Sequence, residues 1–146
     1  MINSVLGFGI IGCGMIADWH AKAILSISDA RLVGVADANH AQGAAFADKY
    51  NVGYFNSVDK LLECKDVDVV CICTPSGLHA ELSIKAANAG KHVITEKPMA
   101  ITSKQTEDMI LACEKNNVLL SVISQLRFTD AVKKPRKRLR KAGLVN

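Results

Sequence analysis

The sequence lacks any apolar run that approaches the ~20 residues needed to span a bilayer. It also lacks a basic residue before Lys22, although the first region of a secretory signal peptide carries positive charge. Both absences argue against a membrane protein and against a secreted one. Hydrophobic residues make up 49% and charged residues 22% of the 146 residues, which is typical of one globular domain with its own core. We therefore expect a cytoplasmic protein that does not bind membranes.

Paired cysteine spacings are missing as well. The chain holds five cysteines, an odd number, and none forms a Cys-x-x-Cys pair, which excludes the usual zinc and dithiol redox spacings. Cys71 and Cys73 lie two residues apart, so on a strand they share one face. We expect buried, free thiols in a reducing compartment and no metal site. The five are Cys13, Cys64, Cys71, Cys73 and Cys113.

Acidic residues are absent from residues 131–146, which hold seven lysines and arginines. The rest of the chain has 11 basic and 14 acidic residues, so it is mildly acidic although the whole sequence carries a charge of +4. A basic segment of this density can bind nucleic acid. Because no aromatic residue is interleaved with the basic ones, we expect no nucleic-acid partner.

Apolar runs and helical patterns alternate along the chain. The runs consist mostly of continuous Val, Ile and Cys, which is typical of parallel strands buried on both faces. The repeated strand–helix order predicts an α/β fold with a doubly wound, mostly parallel sheet. Strands are predicted at 6–11, 30–36, 52–55, 67–73, 91–95 and 118–124. Helices are predicted at 15–27, 39–50, 57–63, 77–89 and 103–116.

Local signals predict the ends and faces of these helices. Ser76 is expected to cap the fourth helix and Gly90 to end it. Thr102 and Gln105 have the spacing of a capping box at the start of the fifth helix. One face of the first helix is expected to pack on the core through apolar residues at helical spacing. They are Ile16, Trp19, Ala23, Ile24 and Ile27.

The stretch between the first strand and the first helix has the pattern G-x-G-x-x-A. Gly12 permits a tight turn, Gly14 lets a pyrophosphate approach the backbone, and Ala17 allows close helix–strand packing. Unpaired N–H groups at the start of the helix would then face the phosphates. The pattern predicts a dinucleotide site, unless the glycines serve only the turn. The loop residues predicted to bind the cofactor are Gly12, Cys13, Gly14, Met15, Ile16 and Ala17.

Asp37 strengthens this interpretation and bears on which cofactor is bound. It ends the second strand, twenty residues after Ala17, where a carboxylate can accept both ribose hydroxyls of the adenosine half. Its negative charge would repel the 2′-phosphate of NADP. The three residues that follow it supply no lysine or arginine to offset that repulsion. We therefore predict NAD rather than NADP.

Two further polar stretches follow the fourth and fifth strands, at the edge where ligands bind in sheets of this kind. They are residues 73–79 and residues 95–100. Lys97 in the second stretch could polarise a carbonyl or exchange a proton with a hydroxyl, unless it is only a solvated loop lysine. The Lys97–Pro98 peptide bond can be cis or trans, and the sequence leaves this open.

The stretches GIIGCGMIADWHAKAI, VADAN, CTPSGLHAEL and GKHVITEKPMA resemble, in this order, the glucose–fructose oxidoreductase / inositol dehydrogenase / MocA family. The resemblance runs from about residue 7 to about residue 145. It implies a Rossmann domain followed by a larger α/β domain. It also implies hydride transfer between a nicotinamide cofactor and a hydroxyl of a sugar, a cyclitol or a related compound.

The same resemblance implies roles for single residues. Thr74, Pro75 and His79 match a loop that lies over the cofactor. Glu96 matches a glutamate beside the nicotinamide ribose, and Lys97 matches the catalytic lysine.

Three other positions carry weaker implications. Arg127 matches an arginine near the nicotinamide end of the site, whereas Gln125 replaces the usual asparagine. His20 matches a frequent family histidine on the first helix, and we interpret it as structural.

The domain organisation follows from the resemblance. We predict a Rossmann domain over residues 1–126 and a basic segment over 127–146 that starts the connection to a second α/β domain absent from this chain. Pro135 lies where the resemblance implies a helix, which a proline would disrupt. We interpret the chain as the cofactor-binding half of an oxidoreductase, either an expressed fragment or a truncated gene product, and inactive alone.

The expected partners follow from the same interpretation. A sugar or polyol substrate would be bound by the missing domain, and the sequence leaves open whether the chain forms a homo-oligomer. The alternative function is a stand-alone NAD-binding or sensing module without turnover.

Overall fold

Six parallel strands form one sheet in the computed structural model, which describes residues 5–129. The strands are β1 (Leu6–Ile11), β2 (Ala30–Ala36), β3 (Gly53–Phe55), β4 (Val69–Ile72), β5 (His92–Thr95) and β6 (Leu120–Val122). The helices among these residues are α1 (Met15–Leu25), α2 (His40–Tyr50), α3 (Val58–Glu63), α4 (His79–Asn88) and α5 (Ser103–Lys115). Short 3₁₀ turns lie at Ser76–Leu78 and Gln125–Phe128.

The strand order is β3-β2-β1-β4-β5-β6. β1 pairs with β2 on one side and with β4 on the other, so the direction of winding reverses at the centre of the sheet. At such a switch point the loops after the two central strands diverge, and a crevice opens beyond their carboxyl ends. The predicted doubly wound parallel sheet is confirmed.

Two apolar layers cover the sheet, because neighbouring residues of a strand point to opposite faces. Ile10 lies in one layer with Val35 and Cys71. Ile11 lies in the other with Val70. All four residues of β4 are buried, which explains why its sequence is a continuous apolar run.

The predicted core face of α1 is only partly right. Ile24 is buried as expected, but Trp19 is 69% exposed and Ile27 is 51% exposed. The helix packs on the sheet through Ala17 and Ala21 instead. Their small side chains let the helix lie close to the strands, and this orientation turns the bulkier residues of the stripe away from the core.

The start of α4 also differs from its prediction. Ser76 does not cap the helix, because residues 76–78 form a 3₁₀ turn closed by a 3.0 Å hydrogen bond from the Leu78 N–H to the Pro75 carbonyl oxygen. α4 therefore begins at His79, without a side-chain cap.

Other predicted helix ends are confirmed. The Thr102 hydroxyl accepts a hydrogen bond from the Gln105 N–H, and the Gln105 side chain accepts one from the Thr102 N–H, both at 3.2 Å. This is the expected capping box of α5. Gly90 follows α4 with a φ of +74°, which glycine adopts without strain.

The predictions about Pro135 and about the connection beyond residue 129 lie outside the described residues. Within the described range, no helix combines the length and the apolar character that a membrane crossing requires.

Candidate functional site

The glycine loop joins β1 to α1 at the crevice. Gly12 has a φ of +89°, and a Cβ placed on it would lie 2.9 Å from backbone atoms of Cys73 and Thr74. Only glycine fits this close approach to the chain after β4. Ala17 is fully buried between α1 and the sheet, as its proposed packing role requires.

Gly14 differs from Gly12 in what surrounds it. It is the N-cap residue of α1, has a φ of −77°, and makes no side-chain cap. A Cβ placed on Gly14 would have no atom of the described chain within 4 Å. Open space therefore lies beside the start of α1, where Gly14, Met15 and Ile16 line a cavity, and helix starts of this kind bind phosphate in many proteins.

The Asp37 carboxylate is fixed beside this loop. Its Oδ2 accepts a 2.6 Å hydrogen bond from the Cys13 N–H, and its Oδ1 accepts a 2.7 Å bond from the Asn39 N–H. The first bond ties the end of β2 to the glycine loop. Each carboxylate oxygen can accept a second hydrogen bond, so the group can still bind hydroxyls while its orientation is held.

A cavity of about 560 Å³ lies over the carboxyl ends of β1, β2 and β4. Its apolar walls include Val58, Leu78 and Leu82, whereas no lysine or arginine is among the described residues that line it. The buried Thr74 Oγ1 has no hydrogen-bond partner among the described residues. Seven residues predicted from the sequence line this cavity: Gly12, Gly14, Met15, Ile16, Asp37, Thr74 and Pro75.

Cys13 lies under the loop rather than on the cavity wall. Its side chain is buried, and its Sγ is 3.9 Å from the Ala36 carbonyl oxygen. Burial, assisted by the Asp37 carboxylate, raises the pKa of the Cys13 thiol to about 12. The residue contributes to the site through its backbone N–H, which holds Asp37, while its thiol stays neutral.

The other cysteines match the expected free thiols. Cys71 and Cys73 are buried, and burial with the nearby Glu96 carboxylate raises the pKa of the Cys71 thiol to about 12. Burial likewise raises the pKa of the Cys73 thiol. Cys113 is buried as well, and Cys64 is half-buried. Within residues 5–129 no three His, Cys, Asp or Glu side chains are grouped so that they could hold a metal ion.

His79 lies between the loops that follow β4 and β5 and does not line the cavity. The residue is only 1% exposed. Its Nδ1 is 2.8 Å from the Pro98 carbonyl oxygen, and its Nε2 is 2.9 Å from the Thr74 carbonyl oxygen. The imidazole thus joins the segments that follow β4 and β5, although the family resemblance implied a place over the cofactor.

Glu96 and Lys97 follow β5 and point to different surroundings. Glu96 is 7% exposed, and its Oε1 lies 2.9 Å from His20 Nε2. Lys97 is exposed, and no hydrogen bond or ion pair of its ammonium occurs among the described side chains. The Lys97–Pro98 peptide bond is cis.

Arg127 is exposed in the last 3₁₀ turn and is absent from the walls of the two cavities described here.

A second cavity of about 360 Å³ meets the first at Ile16, which lines both. The sequence prediction had assigned Ile16, Trp19 and Ala23 to the core; Ile16 does pack against the core as well as lining this wall, whereas Trp19 and Ala23 are exposed on the wall. The signal that could have separated the two is the pair of alanines, Ala17 and Ala21, which mark the side of the helix that packs on the sheet. The lining residues are Ile16, Trp19, His20, Ala23, Glu96, Ile123 and Gln125.

Comparison with known proteins finds inositol dehydrogenases among the relatives of this chain. The chain is 33% identical over 142 residues to a scyllo-inositol 2-dehydrogenase (NADP(+)), IolU, of Bacillus subtilis, covering 97% of this chain and 43% of that protein. It is 36% identical over 121 residues to an inositol 2-dehydrogenase of Rhizobium meliloti, covering 83% of this chain and 36% of that one.

A solved structure of another dehydrogenase is also similar to this chain. The WlbA dehydrogenase of Bordetella pertussis, crystallised with NADH and UDP-GlcNAcA, superposes with a TM-score of 0.89 at 34% identity, covering 93% of this chain and 41% of that chain. The chain thus spans about two fifths of the length of the relatives it matches. A family model described as "Oxidoreductase family, NAD-binding Rossmann fold" matches residues 6–124. By this match, which covers most of its length, the chain belongs to the Gfo/Idh/MocA family of oxidoreductases.

Proposed function

We propose that this chain binds NAD and is the cofactor-binding part of an enzyme that transfers hydride between nicotinamide and a hydroxyl of a sugar, a cyclitol or a related compound. The observation that carries the proposal is the paired geometry of Gly14 and Asp37. Open space lies in front of Gly14 at the start of α1, and the fixed Asp37 carboxylate lies on the wall of the same cavity. These are the two features that a dinucleotide needs for its pyrophosphate and its adenosine ribose.

The residues present fit such a cofactor. With no basic side chain among the described residues that line the cavity, the N–H groups at the start of α1 would carry the pyrophosphate. Thr74 lines the same cavity, and its buried Oγ1 has no hydrogen-bond partner among the described residues, so a rotation of this side chain toward the cavity would let it bond the cofactor. Pro75, Met15 and Ile16 would contact the bound cofactor through apolar surface.

The preference for NAD rests on how Asp37 is held. Two backbone N–H groups bond its two oxygens, so the carboxylate cannot turn aside without losing them. A 2′-phosphate beside it would meet a fixed like charge, and the exposed Ala38 offers no compensation. Relatives of both kinds exist: one is named as NADP-dependent, and another was crystallised with NADH.

Lys97 is the residue we propose for proton transfer. In the oxidising direction its amine takes the proton of the substrate hydroxyl while a hydride leaves the carbinol carbon, and a carbonyl group forms. NAD, when bound, supplies the hydride acceptor. Lys97 then returns the proton to solvent. A positioned general base of this kind contributes about 10²–10⁴-fold. Following the resemblance, Glu96 and Arg127 would lie toward the nicotinamide end.

The alternative is a module that binds NAD without turnover. The same cavity supports it, and the chain covers only about two fifths of the length of its relatives. Calorimetric titration of the 146-residue chain with NADH and with NADPH tests binding directly, and a screen of polyols and sugars for NADH formation tests turnover. Binding of NADH supports both functions, NADH formation by this chain would exclude the module without turnover, and failure to bind either nucleotide contradicts both functions.

A further inference from the structure

One carboxylate connects α1 to the backbone of the proposed catalytic lysine. Glu96 Oε1 lies 2.9 Å from His20 Nε2, and Glu96 Oε2 accepts a 3.2 Å hydrogen bond from the Lys97 N–H. The side chains of His20 and Glu96 are only 10% and 9% exposed. The two oxygens of Glu96 therefore have different partners, one on a helix and one in the loop after β5.

The surroundings of this carboxylate are mostly apolar. Ile16, Trp19 and Ile123 line the same cavity. The Glu96 charge also reaches the buried thiols of Cys71 and Cys73 and contributes to their raised pKa values. A buried carboxylate oxygen is costly unless it is hydrogen-bonded. Among the described residues, His20 is the side chain that bonds Oε1.

Loss of His20 would change the orientation of the Glu96 carboxylate. An unpaired Oε1 in an apolar cavity would favour rotation of the carboxylate toward water. The same rotation would draw Oε2 away from the Lys97 N–H, because both oxygens belong to one rigid group. The effect of His20 would thus reach the Lys97 backbone, nearly eighty residues away in sequence, through a single side chain.

We propose that His20 is a positioning residue, which holds the Glu96 carboxylate on the Lys97 N–H and so fixes the loop that presents Lys97. The inference goes beyond the structural interpretation of His20, and its functional meaning rests on the role proposed for Lys97.

A matched pair of variants separates the hydrogen bond that His20 donates from the packing of its side chain. His20→Gln keeps an N–H donor at about the reach of Nε2, whereas His20→Leu keeps the bulk and removes the donor. His92 provides the control, since its Nδ1 accepts the Leu119 N–H at the opposite end of β5. His92→Gln should leave the Lys97 loop unchanged.

The measurement is amide hydrogen exchange of Lys97 in the ¹⁵N-labelled 146-residue chain. We expect His20→Leu to accelerate this exchange about tenfold or more, as loss of a charge-assisted hydrogen bond implies. His20→Gln should stay near the rate of the unaltered chain. Equal rates in all variants, or equal acceleration by Leu and Gln, would overturn the proposal.

A measurement on the unaltered chain keeps the test decisive if His20→Leu does not fold. Nitrogen-15 shifts of the His20 ring report whether Nε2 carries hydrogen. An ionised carboxylate only accepts hydrogen bonds, so an Nε2 without hydrogen would overturn the proposal. None of these readouts uses turnover. If the Lys97 amide responds as expected but Lys97→Ala does not reduce turnover, the proposed catalytic role fails and the positioning stands.

Discussion

Replacement of Gly14 by valine should abolish most cofactor affinity while leaving the fold intact. The structure allows the two effects to be separated, because a Cβ at this position meets no atom of the described chain within 4 Å. The backbone there is extended, with φ −77° and ψ −170°, which suits a β-branched residue. The valine side chain would instead occupy the space in front of the first N–H groups of α1, where we place the pyrophosphate.

We expect the substitution to have a small effect on stability and a large effect on cofactor affinity. Gly14 is an N-cap without a side-chain bond, so the substitution should cost no more than about 1 kcal/mol of stability, or a few degrees in Tm. Exclusion of the pyrophosphate removes charge-assisted hydrogen bonds worth about 1.5–3 kcal/mol each. Two such bonds lost correspond to roughly a 10²-fold or greater weakening of NADH binding, measured by calorimetry.

Gly12→Ala provides the contrasting control. Its φ of +89° and the backbone atoms at 2.9 Å leave no room for a methyl group, so this smaller change should lower Tm more than Gly14→Val does. An NADH affinity that is unchanged in Gly14→Val, with the fold retained by circular dichroism, would refute the placement of the pyrophosphate.

Three further predictions concern specificity, ionisation and catalysis. The double substitution Asp37→Ser/Ala38→Arg should narrow or reverse the preference for NADH over NADPH in titrations, and tighter NADPH binding by the unaltered chain would contradict our interpretation of Asp37. Cys13 and Cys71 have thiol pKa values raised from 9.0 to about 12 in the folded chain. The stability that these neutral thiols contribute is fully present below about pH 9 and is lost as the pH rises toward 12. The urea midpoint of unfolding should therefore drop between pH 8 and pH 10, and it should drop less when both cysteines are replaced by alanine. Lys97→Ala should leave NADH affinity nearly unchanged and, in a form that includes a substrate domain, lower kcat by roughly 10²-fold, whereas an unchanged kcat would assign Lys97 to a solvated loop.

Much of the fold could be predicted because its signals are local. Continuous apolar runs identify strands buried on both faces, and β2 occupies the predicted residues 30–36. Strand ends were less accurate. The apolar run over 67–73 predicted a longer β4 than Val69–Ile72, and the run over 118–124 a longer β6 than Leu120–Val122. Val67 and Cys73 are buried although they lie beyond the ends of β4, so burial alone overestimates the length of that strand.

The first cavity was predictable and the second was not, for a physical reason. Gly12, Gly14 and Ala17 are neighbours in sequence, and Asp37 follows them at a spacing set by one helix and one strand. On α1, however, apolar periodicity alone does not distinguish a stripe that packs on the sheet from one that lines a crevice. The preference for one side depends on residue volume.

Residue volume determines which stripe of α1 faces the strands. Ala17 and Ala21 permit closer contact with the sheet than Ile16 and Trp19 would, so the helix lies on its alanine side. That orientation has a consequence for the chemistry. His20 precedes Ala21 and is carried to the edge of the alanine side, where it reaches the Glu96 carboxylate after β5. The packing that buries two alanines therefore also brings a histidine of the first helix to the residue that bonds the Lys97 N–H.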